Sequence, residues 1–278
     1  MIDFTPISSK LTKSPDGIWY SSESENTFYP TDGSETCFSI EENSFWFQHR
    51  NQCITTVVNA FPPEKGGTIF DIGGGNGFTS LGLAKAGFNV TLIEPSKTGA
   101  ENAKLRGVEN IICATTTTAG IYPDSFPAAG LFDVIEHIED DIYFLSSIHS
   151  LIEPGGRLYI TVPLYQALWS GEDKLAGHFR RYTPDTAKKT LKAAGFEIEY
   201  SSCFFRALPL PIYLLRALPF KLGITEQPTK TNLKAHKQKN RLIHNMIRAI
   251  LRPELKHLNN KQSMRFGASL ILVARKSN

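Results

Sequence analysis

From Ser44 onward, apolar residues recur at helical spacing (Phe45, Trp46, Phe47, Ile54, Val57, Val58, Phe61), which predicts an amphipathic helix ended by Pro62-Pro63. Residues 1–42 before it are polar and turn-rich, with Trp19, Tyr20, Phe28 and Tyr29 as scattered anchors. Beyond it, strand-like and helix-like pieces alternate. Strands are predicted at 68–72, 89–93, 110–114, 130–135, 157–162, 196–203 and 269–274. Helices are predicted at 80–86, 99–106, 141–152 and from Thr183 to Ala194, where an N-cap threonine is followed by Pro184 at the first helical position. Glu153-Pro154-Gly155-Gly156 reads as a turn.

Strands alternating with helices of this length predict an α/β fold: a doubly wound, Rossmann-like, mostly parallel sheet covered on both faces. Such sheets bind ligands beyond the carboxyl ends of their strands, where strand order reverses. The expected organisation is an N-terminal extension and cap helix (1–60), an α/β core (61–203, completed by 266–278) and a helical insertion (204–265) before the last strand. Of the 278 residues, 41% are hydrophobic and 21% charged, ordinary globular composition that excludes collagen, low-complexity disorder and a disulfide-built miniprotein. No charge-free run reaches the roughly 18 residues of a membrane span. Residues 1–6 show no signal-peptide pattern, and Cys37, Cys53, Cys113 and Cys203 match no zinc or redox spacing. Reduced thiols in a cytoplasmic protein are expected.

Charge is uneven. From Lys221 to Arg265 there are 11 lysines and arginines against two acids, Glu226 and Glu254, so the remainder is net acidic. A basic segment on an acidic body points to an anionic partner, a membrane surface or nucleic acid, or else to a solvated helical face. Residues 203–224 are apolar but carry Arg206, Arg216, Lys221 and three prolines, which excludes a spanning helix. With a basic helix expected at about 232–258, this segment suits peripheral membrane contact or a lipid-linked acceptor; a lid or dimer contact is the alternative.

The chemistry concentrates in the first strand–helix loop, Asp71-Ile72-Gly73-Gly74-Gly75-Asn76-Gly77-Phe78. Glycines permit left-handed backbone and let a ligand approach closely. Glu94 ends the next strand, 23 residues after Asp71, where a carboxylate can accept hydrogen bonds from both ribose hydroxyls. A dinucleotide fingerprint would need a small residue where bulky Phe78 stands, and Asp71 would repel a pyrophosphate. An acid suits an ammonium and a sulfonium. The implied ligand is S-adenosylmethionine.

The stretch Ile69–Gly77 with Glu94, the run Gly130–Ile138 and Glu153–Gly156 together resemble class I S-adenosylmethionine-dependent methyltransferases, among them the ubiquinone-biosynthesis-like group. The resemblance implies a seven-stranded sheet whose last strand is antiparallel. It implies that Asp71, Gly73, Gly75 and Gly77 hold the methionine moiety and Glu94 the ribose, with Pro95 and Phe132 also facing the cofactor. Adenine, lacking the family's frequent acid after the third strand, falls to backbone or to Thr116, and Arg50 pairs with the cofactor carboxylate.

Methyl transfer from a sulfonium is an in-line displacement that relies chiefly on alignment, with a base needed only where the nucleophile carries a proton. Glu136 and His137, after the fourth core strand, are the catalytic candidates. The chain also resembles small-RNA 3′-end 2′-O-methyltransferases, which implies a divalent-metal set of Asp133, Glu136, His137 and His178, with Asp133 replacing glutamate. Tyr165, Trp169, Arg180 and Tyr182 are expected to line the acceptor site. The expected function is O-methylation of a small or lipid-linked acceptor. The alternatives are metal-assisted RNA 2′-O-methylation, although no RNA-binding module is recognisable, and a non-catalytic cofactor-binding protein.

Overall fold

The computed structural model describes residues 3–23, 38–224 and 241–278. Phe28, Tyr29, Cys37 and the first part of the expected basic helix lie outside the described residues. Two three-residue strands, β1 (Leu11–Lys13) and β2 (Trp19–Ser21), precede the cap helix α1 (Phe45–Ala60). There follow β3 (Ile69–Ile72), α2 (Phe78–Lys85), β4 (Val90–Ile93), α3 (Lys97–Arg106), β5 (Asn110–Cys113), β6 (Phe126–Phe132) and α4 (Asp141–Leu151). After β7 (Ile152–Pro163) come a short helix, α5 (Gly171–Ala176), α6 (Pro184–Ala193) and β8 (Phe196–Phe204). Three helical pieces at 209–221, the middle one a π turn at Tyr213–Ala217, then lead to α7 (Arg241–Asn259) and β9 (Ser269–Lys276).

The strands form one sheet in the order β1-β2-β5-β4-β3-β6-β7-β9-β8. All neighbours from β2 to β7 are parallel, and β9 runs antiparallel between β7 and β8. The expected seven strands become nine, because the β1–β2 hairpin adds itself to the β5 edge through Trp19 and Tyr20. Strands of three residues are too short to show an alternation. They form here by long-range pairing and by packing of Phe4 edge-on against Trp19.

Every residue of β3 and β4 is buried, as a parallel sheet sandwiched between helices requires. On one face, Leu145 and Ile148 of α4 and Leu191 of α6 pack with Phe70, Ile72 and Leu131. On the other, Ile54, Val57 and Val58 of α1, Leu83 of α2 and Leu251 and Leu258 of α7 pack with Ile69, Tyr159 and Ile271. β6 begins earlier than predicted and stops at Phe132, because Asp133 takes a positive φ of 58° and turns the chain into the short helical turn Ile135–His137. At the other end of that strand pair, Phe126 pairs with Ile152 but Ala128 with Arg157, so the predicted 153–156 turn loops out of register.

Candidate functional site

Strand order reverses at β3, with β4 on one side and β6 on the other, so their carboxyl ends open a crevice. The glycine loop rims it. Gly73, Gly75 and Gly77 have φ of +70°, +54° and +73°, a region where a side chain is strained. A Cβ on Gly77 would lie 2.8 Å from Ala103 and Val108, whereas one on Gly75 would meet nothing within 4 Å. Gly77 is therefore a packing glycine, and Gly75 borders open space.

Asp71 is fully buried at the end of β3. Ser80 Oγ donates to its Oδ2 at 2.6 Å, while Oδ1, equally buried, has no hydrogen-bond partner. Burial pushes the carboxyl up to about 6, against the Ser80 hydrogen bonds and the Arg50 charge. At the end of β4, Glu94 accepts from the amides of Ser96 and Gly75, each at 2.8 Å, and so ties the loop to the second strand. Its carboxyl rises to about 7, chiefly by burial, with those two amides opposing and Asp71 reinforcing. Open space beside Gly75, an orphaned acceptor oxygen and two carboxyls raised by desolvation make a cradle that gains from a cationic, hydroxyl-bearing ligand. S-adenosylmethionine fits it in charge and in hydrogen-bonding groups.

Arg50, on α1, reaches into the same crevice. Its Nη1 donates to Thr79 Oγ1 at 3.1 Å, its Nη2 to the Phe132 carbonyl at 2.7 Å, and its Nε to Asp133. Asp133 also accepts from Thr161 Oγ1 at 2.9 Å, so both its oxygens are engaged. Pro95 and Thr116 are half-buried at the strand ends beyond Glu94, Thr116 on a turn closed by reciprocal Thr115–Thr118 hydrogen bonds.

Of the four residues expected to bind a metal, the structure brings Glu136, His137 and His178 together, with one donor atom from each within 4.8 Å of the others. Asp133 is not among them; Arg50 and Thr161 hold it instead. The His137 and His178 rings meet edge to face at 4.6 Å. Glu136 Oε2 is buried without a partner, and burial first, then the Asp133 charge, raises that carboxyl well above its ordinary range. His137 is pushed down to about 4 by burial and by His178. Behind them stands Asp173, which pairs with His178 at 3.0 Å and with Arg181 at 2.6 Å. Burial opposes its charge, but the bonds from His178, Arg181 and the Ser170 amide prevail and hold it down at about 2.

The acceptor-lining residues divide. Trp169 is half-buried, and Tyr165, at a φ of +62°, stacks on Phe266. Tyr182 is core: its hydroxyl donates to Asp141 at 2.6 Å and it is 3% exposed. Arg180 pairs with that same Asp141 at 2.8 Å. These two therefore brace α4 in this structure. Ser80, Thr79, Thr161 and Asp173 escape sequence reasoning; only Asp173 left a signal, as the third residue of a capping box begun at Ser170.

Two grooves flank the cap helix. One, of about 400 Å³, lies among Phe45, Trp46, Leu208, Pro211, Ile212 and Leu251. Exposed Leu215 and Ile250 also line it, and Leu210, Leu214, Leu222 and Ile224 in the same segment and Met246 on α7 are exposed as well. No helix among the described residues is long and apolar enough to cross a membrane.

A family model described as a methyltransferase domain matches residues 45–201. The ubiquinone biosynthesis O-methyltransferase of Xylella fastidiosa (strain 9a5c) is 30% identical over 105 residues, which cover 36% of this chain and 43% of that protein. Its counterpart from Ralstonia nicotianae is 26% identical over 152 residues, 50% of this chain and 64% of the relative. The chain thus spans less than two thirds of the length of these relatives. Haemonchus contortus phosphoethanolamine N-methyltransferase 2, solved with S-adenosyl-L-methionine, superposes with a TM-score of 0.54 at 19% identity, covering 91% of this chain and 59% of that one. A Thermotoga maritima S-adenosylmethionine-dependent methyltransferase superposes with a TM-score of 0.53 at 16% identity, covering 88% and 96%. At these identities the superpositions show a common fold.

Proposed function

The chain belongs to the family described as a methyltransferase domain; from that premise we propose that it is an S-adenosylmethionine-dependent methyltransferase that methylates an oxygen on a small or lipid-linked acceptor. The observation that carries the acceptor class is the apolar groove beside α1, lined by exposed Leu215 and Ile250 and by Arg216. An amphiphile with an apolar tail and a polar head matches that surface, and the ubiquinone-pathway relatives are named O-methyltransferases. The same surface suits peripheral contact with a bilayer, where the apolar side chains insert and the cations meet headgroups.

In this reading Asp71 holds the cofactor ammonium, the glycine backbone lies along its methionine portion, Glu94 takes the ribose hydroxyls, Pro95 and Thr116 flank adenine, and Phe132 closes the wall. Arg50 is poised to meet the carboxylate once it shifts from Asp133. The chain then aligns an acceptor oxygen behind the sulfonium methyl. The oxygen forms the new bond to carbon, the sulfur keeps the electron pair of the broken bond, and the oxygen's proton leaves to solvent or a neighbouring base. Good alignment supplies on the order of 7–11 kcal/mol.

An imidazole held near 4 is a weak base at neutral pH, which argues against His137 as the proton acceptor. The same neutral ring, with Glu136 and His178, would hold a divalent cation. When bound, such an ion lowers the pKa of an acceptor hydroxyl. This cluster is also the one observation that favours the second reading, metal-assisted 2′-O-methylation of RNA. Incubating cell extract with labelled S-adenosylmethionine and fractionating it into lipid, RNA and small molecules separates the readings. Label in the lipid or small-molecule fraction supports the first; label confined to RNA overturns it.

A further inference from the structure

A second constellation of ligand-type side chains lies outside the crevice, at the contact of α1 with α7. His49 and Cys53 stand one helical turn apart on the same face of α1, and Glu254 approaches from α7. His49 Nε2 lies 3.0 Å from Glu254 Oε2 and 3.4 Å from Cys53 Sγ. One donor from each of the three falls within 4.8 Å of the others, and all three residues are buried. We propose that His49, Cys53 and Glu254 form a structural transition-metal site that binds zinc or a similar borderline ion and fastens the insertion to the cap helix.

Donor chemistry is the first ground. Imidazole, thiolate and carboxylate together select zinc over the oxygen-seeking magnesium or calcium. Tetrahedral zinc, with bonds of about 2.0–2.3 Å, sets its donors roughly 3.3–3.7 Å apart. The two observed separations, 3.0 and 3.4 Å, are close enough that a small outward movement of the side chains admits an ion. Charge is the second ground: a divalent ion with one thiolate and one carboxylate is neutral, so the buried centre carries no net charge.

Orientation is the third. Glu254 receives the amide of Phe205 at 2.8 Å on Oε2 and that of Arg206 at 2.7 Å on Oε1. Outer hydrogen bonds of this kind aim a ligand before the ion arrives. To present them, Phe205 adopts a φ of +59°, a left-handed backbone that a phenylalanine takes only under constraint. Its ring stacks on Trp46 at 4.1 Å and covers His49 at 5.3 Å, excluding water from that side. His49 also borders a cavity of about 550 Å³ with Gln48, Gln52, Arg248 and Arg252, so open space reaches one of the three donor residues.

The site ties three distant pieces: the start of the chain's family domain, the exit of β8 and the end of the insertion. Arg50, next to His49, reaches Asp133 and Thr79 in the cofactor crevice. Metal occupancy therefore stiffens the helix that carries a cofactor-pocket residue.

Cobalt(II) is the probe, because only thiolate ligation gives a near-ultraviolet sulfur-to-cobalt charge-transfer band, and the Glu136–His137–His178 cluster holds no sulfur. Titration of the metal-free full-length protein should raise this band to saturation at one equivalent, and zinc should abolish it. Cys53→Ala should lose the band, whereas Cys113→Ser and His137→Ala should keep it. Saturating zinc should raise the melting temperature of the wild type by roughly 5–10 °C, an increment absent from Cys53→Ala. Should Cys53→Ala fail to fold, His49→Gln supplies the same loss. Absence of the band in folded wild type, or its survival at full amplitude in Cys53→Ala, overturns the site and leaves His49–Glu254 as a plain hydrogen-bonded pair.

Discussion

Gly75 and Gly77 differ by two positions and share a left-handed backbone, yet the structure assigns their alanine variants different failures. Alanine in that backbone costs about 1–2 kcal/mol wherever it stands. At Gly77 the new methyl would also sit 2.8 Å from Ala103 Cβ and from Val108 Cγ2, with the Ala103 Cα at 3.2 Å. Part of that obstruction is helix backbone, which cannot swing aside, so overpacking adds about 1–3 kcal/mol. Gly77→Ala should therefore lose about 2–5 kcal/mol, a fall in melting temperature of roughly 5–15 °C for a chain of this size. At Gly75 the methyl meets nothing within 4 Å, so stability should drop by only about 1–2 kcal/mol, roughly 2–6 °C. The open space there is the space proposed for the cofactor. Gly75→Ala should thus bind S-adenosylhomocysteine at least about tenfold more weakly, a loss of about 1.4 kcal/mol or more. Thermal denaturation and calorimetric titration of both variants make the comparison. Wild-type affinity in Gly75→Ala, or equal destabilisation of the two, refutes the division into a packing glycine and a cofactor glycine.

Asp71 and Glu94 have carboxyls raised to about 6 and about 7, and a cationic ligand favours their charged forms, so cofactor affinity should rise as pH increases through 6 to 7, with proton release on binding near pH 6; titration in buffers of different ionisation enthalpy reads both, and a flat profile from pH 5 to 8 refutes the charge matching. In the ligand-free chain the sign is opposite: Asp71 keeps its proton to a higher pH than the unfolded chain does, so its contribution to stability falls between about pH 4 and pH 6, and Asp71→Asn should flatten that slope in denaturant melts. Arg50→Ala removes three hydrogen bonds, leaves partly exposed Asp133 without its counter-ion and should cost about 1–3 kcal/mol along with cofactor affinity, whereas loss of stability with unchanged affinity would confine Arg50 to structure. Prolonged chelation should reduce methylation, and manganese or magnesium should restore it in the wild type but not in His178→Ala; full activity in chelator dismisses the Glu136–His137–His178 cluster as a cation site.

What the sequence determined is what short segments carry within themselves. Alternating buried strands and capped helices specify a mostly parallel sheet, and the Asp71–Phe78 loop with Glu94 marks the end of it proposed here for the cofactor, because strand, turn and helix follow one another closely along the chain. Chain order also announced the antiparallel last strand, through the resemblance carried by those motifs. Tertiary structure alone decided the rest, for reasons of distance. The β1–β2 hairpin is too short to have a period and forms only when β5 offers an open edge. Asp133, Glu136, His137 and His178 look alike as a set of donors, and the approach of Arg50, 83 residues away, with Thr161, removes Asp133 from it. Tyr182 reads as an aromatic on an active-site loop until Asp141 claims its hydroxyl in the core. His49 and Glu254 are separated by 205 residues, so no spacing rule could join them. Local patterns fix backbone, which propagates through neighbours; a side chain's partner depends on which distant surface burial brings against it.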